Sequence, residues 1–330
     1  MRVLLRGAVI GLALGVWGLA ALDAPASAET YPDRPVTVLV PFAPGGGTDV
    51  LGRILAQKLG EHFGQTFVVE NRPGAGTSIA AAAVAKAAPD GYTLLMSVSS
   101  TFAINPALYK KLPYDPDKEL VPVALICSVP FVLVVNPDLP VKSVADLIRL
   151  AKEKPGQLSY GSGGVGAAHH LFAELLKSMT GIEMTHVPYK GSLPALQDVV
   201  AGHIQLMFSD LAPSLPLIRA GKLRALAVST TVRAEAAPDI PPLNEVGVPG
   251  YDAAAWQMLA APAGLPPDVL AKLNAATNAI VNSPEVSAKF IHLGLIPLAK
   301  SSPDELKTFV KSETVRWGKV VERAGVAHTE

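Results

Sequence analysis

The 330-residue chain has one cysteine, Cys127, and no net formal charge at pH 7. A single thiol excludes an internal disulfide. Its apolar neighbours Ala124, Leu125 and Ile126 mark it as a small core residue. Balanced charge argues against a nucleic-acid partner, which would want a basic face. No Gly-x-Ser-x-Gly elbow occurs, because Tyr160 stands two positions before Ser162. No cluster has metal spacing either: His170 and Glu174 lie four apart on one helix face, with His169 beside them, and supply only two local ligands. No cofactor is expected. Aromatics are few, and after the N-terminal leader no stretch is long and apolar enough to span a bilayer.

What is present begins with an address. Arg2 and Arg6 precede the apolar run Gly7–Leu22, and Ala26-Ser27-Ala28 is a small-residue cleavage site. Residues 1–28 therefore read as a secretory signal peptide cleaved after Ala28, sending the chain to the periplasm. No cysteine follows it to carry a lipid. The remainder is long enough for two domains, each with its own core.

The strongest local signal is Val36–Ile54. Val36, Val38, Leu39 and Val40 form a short buried strand. Gly45, Gly46 and Gly47 then turn the chain, and Thr48 is expected to cap a helix with Val50, Leu51, Ile54 and Leu55 on one face. A glycine turn at a helix start leaves N–H groups unpaired at the positive end of the helix dipole, an anion site built from backbone. Similar units follow. Phe67–Glu70 leads to a helix over 79–88 capped by Thr77 or Ser78. Tyr92–Met96 runs into a polar loop over 97–101. Leu158–Tyr160 leads through Gly161–Gly166 to a helix over 167–179, and Met184–Val187 leads to Tyr189–Ser192. Such repeated strand–helix units imply α/β lobes with mainly parallel sheets.

Two segments read as crossings between lobes. Val121–Val135 is extended and apolar with breaks at Cys127-Ser128 and Pro130, placing the first hinge near Ser128. The segment 251–261, with Trp256, reads as the return. Lobe 1 is then 29–127 with 255–330, and lobe 2 is 128–254. Ser302-Pro303-Asp304-Glu305 fits a capping box opening a last helix that packs back on lobe 1. Tyr31, Trp256 and Trp317 are read as packing residues.

In open α/β sheets ligands bind beyond the carboxyl ends of the strands, so two such lobes would surround a small ligand with N–H and hydroxyl donors. Lys190 is the main positive charge there, with Arg72 nearby, which suits a carboxylate held without an ion-pairing arginine. Gly161-x-Gly163-x-x-Gly166 also matches a dinucleotide fingerprint with Glu183 at the ribose distance. The preceding strand is short and polar, however, and Glu183 precedes its strand rather than ending it. Asp49 and Asp210 form a candidate catalytic pair across the cleft. The competing roles are loop ordering for Asp49 and a turn cap or a ligand contact for Asp210. A secreted enzyme using Asp49/Asp210 or His169/His170, and a binder of sugar or phosphate, are the alternatives to a carboxylate binder.

Tyr31-Pro32-x-Arg34-Pro35, Pro41-Phe42-x-Pro44-Gly45-Gly46-x-Thr48-Asp49 and Val69-Glu70-Asn71-Arg72-Pro73-Gly74-Ala75-Gly76 resemble the Bug family of periplasmic solute receptors. Pro89–Leu94, Tyr160-Gly161-Ser162, His170-Leu171, Val187–Gly191 and Ala220–Val228 continue the likeness in order. The resemblance implies a two-lobed, Venus-flytrap fold of type II-like architecture with two hinge crossings. It also implies closure on a small mono-, di- or aromatic organic carboxylate, and no catalysis. A monomer serving tripartite tricarboxylate transporter subunits or a sensor kinase is the implied partner relationship. The ligand-binding residues carried over are Phe42, Gly46, Gly47, Thr48, Asp49, Thr77 and Ser99 in lobe 1. In lobe 2, Ser162, Gly163, Gly166 and His169 are carried over, with Tyr189 and Asp210 beside them. One departure stands out: the family usually has hydroxyl residues where this chain has Ala167 and Ala168, and an imidazole, His169, follows.

Overall fold

A computed structural model describes residues 31–298 and 301–329, so the signal-peptide reading lies outside the described residues. In chain order the first elements are Val36–Val40 (β1), Gly47–Phe63 (α1), Phe67–Asn71 (β2), Ser78–Ala85 (α2), Thr93–Val98 (β3), Asn105–Leu108 (α3), Pro116–Glu119 (α4) and Leu120–Val129 (β4). Next come Phe131–Val135 (β5), Val144–Glu153 (α5), Ser159–Ser162 (β6), Ala168–Thr180 (α6), Thr185–Pro188 (β7), Ser192–Ala201 (α7), Leu206–Asp210 (β8), Leu211–Arg219 (α8) and Arg224–Val228 (β9). The chain ends with Ala255–Pro262 (β10), Pro267–Asn282 (α9), Pro284–His292 (α10), Ile296–Pro297 (β11) and Pro303–Arg323 (α11). These strands form two sheets, ordered β11-β4-β10-β3-β1-β2 and β7-β6-β8-β5-β9. The result is the expected two-lobed α/β architecture.

Strand β1 shows why the apolar runs are continuous rather than alternating. Val36, Val38 and Val40 pack with Leu51, Leu55 and Leu59 of α1 and Leu273 of α9. Leu39, pointing the other way, packs with Ala80, Ala81 and Val84 of α2. A sheet covered on both faces needs apolar residues on both. β1 pairs in parallel with β2 and β3, whereas β10 runs antiparallel to β3 and β4. In the second sheet β6 is parallel to β7 and β8, and β5 is antiparallel to β8 and β9.

The polypeptide leaves the first sheet after Val129 and enters the second at Phe131, two residues beyond the expected break at Ser128. It returns between Tyr251 and Ala255. Tyr251 is still held by the second sheet's cover, its hydroxyl donating to Phe172 O at 2.8 Å. Ala253 N–H reaches Ser229 O.

Four local expectations are corrected. Helix α1 starts at Gly47 with Gly46 as its N-cap and no side-chain cap, so Thr48 lies inside the first turn. Neither Thr77 nor Ser78 caps α2 through its side chain: Thr77 occupies the N-cap with φ +83 and Ser78 is the first helical residue. α2 also stops at Ala85 rather than Ala88. The polar loop over 97–101 is absent: β3 runs to Val98, and Ser100–Ile104 is a turn of π-helix. Phe102, Ala103 and Ile104 are buried in the main core, and this burial draws the adjoining hydroxyls inside.

Helix α11 opens with the expected capping box: Ser302 Oγ accepts from Glu305 N–H, and Glu305 returns a carboxylate oxygen to Ser302 N–H at 2.8 Å. The helix packs on β4, α3 and the 100–104 turn, and it also reaches the other lobe, where Trp317 stacks on Phe172 at 5.4 Å. Glu313, buried in this helix, accepts from the indole N–H groups of Trp256 and Trp317, each at 3.0 Å, and from Arg316. Replacing Glu313 by Ala strands two buried donors. The urea midpoint should fall with an unchanged m-value, by an amount equivalent to about 2–4 kcal/mol, and Glu313→Gln, which keeps an acceptor, should cost less.

Under α6, Tyr160, His170 and His186 pack nearly parallel, with the two imidazoles 3.9 Å apart. Burial pushes both imidazoles down to about 4. An unfolded histidine takes its proton near pH ~6.5. Between there and pH 4 the unfolded chain binds more protons than the fold, so stability declines as pH falls through that window. Melting at pH 5 should show a loss on the order of 3 kcal/mol relative to pH 7, and the double change His170→Phe/His186→Phe should flatten that dependence.

Candidate functional site

The first loop is shaped by Asp49. Its carboxylate is 2% exposed and accepts from Gly45 N–H at 2.9 Å, Arg53 Nε at 3.0 Å and Asn71 Nδ2 at 2.8 Å. The hydrogen bond from Arg53 is the main reason this acid is held down at about 2; burial opposes it, and the bonds from Gly45 and Asn71 add to it. Asn71 also donates to Phe42 O. The side chain of Asp49 thus fastens the loop. The first intrahelical bond runs from Val50 N–H to Gly46 O. The amides of Gly47 and Thr48 therefore have no acceptor among the described residues, at the head of a 17-residue helix. Thr48 Oγ1 accepts from Gln257 Nε2 at 3.2 Å, leaving its own proton free to donate.

Gln257, which bonds Thr48, joins the candidate site and was missed by sequence reasoning. It comes from β10, distant in the chain, and no local spacing signals it. It is buried, and its Oε1 has no partner.

Between β2 and α2 the backbone is strained. Gly74, Ala75, Gly76 and Thr77 have φ of +128°, +45°, +56° and +83°. Ala and Thr rarely adopt such values and hold them only where surrounding bonds over-determine them. Here Thr77 Oγ1 bonds Thr101 Oγ1 at 3.0 Å, and Asn105 Nδ2 donates to Gly76 O at 2.8 Å. Thr101 O in turn accepts from Tyr114. Thr101 and Asn105 were not foreseen, because a run such as Ser97–Thr101 carries no mark of burial. Ser99 is buried just past the end of β3.

In the second lobe Ser162 Oγ donates to Gly164 O at 3.0 Å, accepts from Gly164 N–H, and lies 2.6 Å from His186 Nε2. The hydroxyl is engaged inside its own loop. Gly163 sits tightly against the Gly191–Ser192 peptide and His169. Gly166 has φ +72°, and a Cβ there would collide with Leu108 of α3. The second-lobe loop beyond the carboxyl end of β6 thus rests on α3 of the first lobe, which follows the carboxyl end of β3. Gly166 N–H donates to His170 Nδ1 at 3.1 Å. Ala167, the N-cap of α6, has no side-chain acceptor, and the Ala168 and His169 amides are unpaired among the described residues.

His169 Nε2 lies 3.2 Å from Asp210 Oδ2, and its ring stands edge-on to Phe131 at 5.0 Å. Its Nδ1 is buried without a partner. Burial pushes the Asp210 carboxyl up, but the His169 bond and charge outweigh it and hold the acid below its usual range. The Tyr189 hydroxyl donates to Asp198 Oδ2 at 2.6 Å, and burial above all, with that bond, pushes the phenol up to about 12.

The site thus offers two sets of free amides and little positive charge. Arg53 is paired with Asp49 and Arg72 with Glu70. Asp49 and Asp210 do not form a catalytic dyad: three donors from its own lobe hold the first, and His169 holds the second. The dinucleotide reading fails on geometry. Glu183 is exposed and precedes the start of β7, whereas the glycine loop lies at the far end of the parallel partner β6. Among the described residues no group of three or more His, Cys, Asp or Glu could hold a metal ion.

Known proteins resemble this chain over nearly its whole length. Protein BugT of Bordetella pertussis is 40% identical over 319 residues, covering 96% of this chain and 97% of BugT. A solved structure described as R. palustris Rpa4515 with adipate is 42% identical, with a TM-score of 0.80, and covers 90% of this chain and 99% of that one. MatC (Rpa3494) from Rhodopseudomonas palustris with bound malate is 35% identical, with a TM-score of 0.76 and coverage of 88% and 100%. The family model described as tripartite tricarboxylate transporter family receptor, TctC, matches residues 51–326, and the chain belongs to that family of solute receptors.

Proposed function

We propose that this chain captures a small organic carboxylate between its lobes in the periplasm and presents it to tripartite tricarboxylate-type transporter subunits or a sensor. The observation that carries this reading is the pair of helix starts, α1 and α6, whose unpaired amides lie just after glycine loops at the carboxyl ends of β1 and β6. Charge-assisted hydrogen bonds of about 1.5–3 kcal/mol each and a helix-end contribution of roughly 0.3–1 kcal/mol suffice for micromolar binding after ordering costs. The adipate and malate named with the two relatives support the ligand class. Ala167, Ala168 and the exposed Phe42 and Val165 on the two loops favour an acid with an apolar body.

The exported form starts at Glu29, after removal of the leader. Among the described residues no helix is long and apolar enough to cross a membrane. Sheet membership supports lobes of 29–129 with 255–330 and of 130–254, hinged at Pro130 and at 252–254. Ligand drives closure only through its higher affinity for the closed state.

Thermal melting of residues 29–330 against aliphatic and aromatic acids, amino acids, sugars and phosphate tests this. A bound acid at 100 times its dissociation constant should add about 2.7 kcal/mol of stability. A shift with sugar or phosphate and none with any acid would overturn the ligand class. Thr48→Val removes one donor and should weaken acid binding about tenfold; it also strands Gln257 Nε2, so the free protein should lose about 1–3 kcal/mol of stability, and calorimetric titration well below the melting temperature compares the two folded proteins.

A further inference from the structure

Two imidazoles grip the second-lobe loop, His186 from β7 and His170 from α6. His186 Nε2 lies 2.6 Å from Ser162 Oγ, at the loop's start, and His170 Nδ1 accepts Gly166 N–H at 3.1 Å, at its end. The rings are 3.9 Å apart and 9° from parallel, and Tyr160 packs beside both. We propose that His170 and His186 are positioning residues for the solute site: as a stacked, uncharged pair they fix the Ser162–Gly166 loop and so aim the first amides of α6 across the cleft.

The hydrogen bonds set the tautomers. With the one Ser162 proton assigned to Gly164 O, Ser162 accepts from His186, whose proton is then on Nε2. His170 must keep Nδ1 bare to accept from Gly166, so its proton is also on Nε2, 4.0 Å from Glu174 Oε1. The groups around the stack reinforce this. From β6, the Tyr160 hydroxyl donates to Glu174 Oε1 at 2.5 Å; from α6, Lys177 Nζ donates to the same oxygen at 2.6 Å. Glu174 is thereby engaged by a phenol and an ammonium, and burial outweighs its pull toward a protonated His186. Protonating His170 would fill Nδ1, break the Gly166 bond and add a cation beside Lys177. The Gly166 end of the loop is therefore anchored only while His170 is neutral, whereas the His186 Nε2–H bond to Ser162 does not depend on a bare Nδ1. Because Gly166 bears on Leu108, the same anchor sets where the lobes meet.

The identity of the anion rests on the solute reading above; the loop geometry does not, and the experiment separates them. In residues 29–330, His170→Phe and His186→Phe keep a flat ring in the stack and remove one anchor each, and His170→Asn restores an acceptor at the Nδ1 position. Amide exchange followed by NMR should quicken at least tenfold at Gly166 in His170→Phe and at Gly164 in His186→Phe, and return toward wild type in His170→Asn. Imidazole nitrogen shifts at pH 7 should show both rings as neutral Nε2–H tautomers. Adipate, as the probe, should bind about tenfold more weakly to each Phe variant and near wild-type strength to His170→Asn. Loop amides that exchange as in wild type in both Phe variants overturn the inference, as does quickening spread evenly over the whole chain or a proton found on His170 Nδ1. A wild-type protein that binds no acid overturns the solute reading, and the exchange data still decide the positioning role.

Discussion

Backbone amides left without partners are the constraint on which the rest of this molecule depends. A helix start always leaves N–H groups unbonded, and most proteins satisfy them with a side-chain cap. At α1 and α6 no side chain does so: the N-caps are Gly46 and Ala167. Elsewhere the same chain caps helices with side chains, through Asp115, Ser143, Ser283 and Ser302. Helices α2, α3, α7, α8 and α9 also begin without a side-chain cap, so what marks α1 and α6 is their place just after glycine loops at the carboxyl ends of β1 and β6. The side chains near them hold the loop and leave the amides free. Asp49 closes on Gly45, Arg53 and Asn71; Ser162 closes on Gly164. Each loop is stiffened by its own polar groups, so under the proposed function an entering anion would meet donors already in position and lose less to ordering.

Motion between the lobes is limited by what spans them. One continuous apolar cluster includes Leu39 and Phe102 from the first lobe and Phe131, Phe172 and Phe208 from the second. Helix α11 lies across that join, with Trp317 against Phe172 and its partner Glu313 tied to Trp256 of β10. The crossings at Pro130 and 252–254 are short, and α11 acts as a third contact beside them. A rigid-body rotation about these crossings would keep the Trp256–Glu313–Trp317 bonds, which lie on one side, while sliding Trp317 over Phe172. Such hinge motion with shear at one packed helix follows from where the covalent and the non-covalent links fall.

The strand and helix pattern was legible because it is local. The run Val36–Val40, the alanine helix after β2 and the Ser302 capping box carry their signals within a few residues. The site was legible only in part. Glycines at strand ends pointed to the loops, but the capping role read for Thr48 did not hold, because α1 starts at Gly47 with Gly46 as an N-cap that has no side chain. What governs these loops is long-range, however: Asn71 reaches Asp49 and Phe42, Gln257 reaches Thr48, and His186 reaches Ser162. No spacing along the chain encodes these pairs. The stretch Ser97–Thr101 misled for the same reason, since hydroxyl residues look solvated until Thr77, Asn105 and Tyr114 are seen to enclose Thr101.

The strained turn at Gly74–Thr77 shows how tightly the first lobe is built around its cleft. Ala75 and Thr77 each sit in a backbone region that costs of order 1–3 kcal/mol for a non-glycine residue. A glycine at position 77 would relieve that strain and lose the Thr77–Thr101 hydroxyl pair. Thr101 would then be left with a buried hydroxyl and no partner, at a comparable cost of about 1–3 kcal/mol. The two terms are of the same size, so stability alone gives no clear reason for threonine there. What threonine adds is position: it links the end of the β2 loop to the turn that follows β3, and so holds two cleft-facing segments in one arrangement.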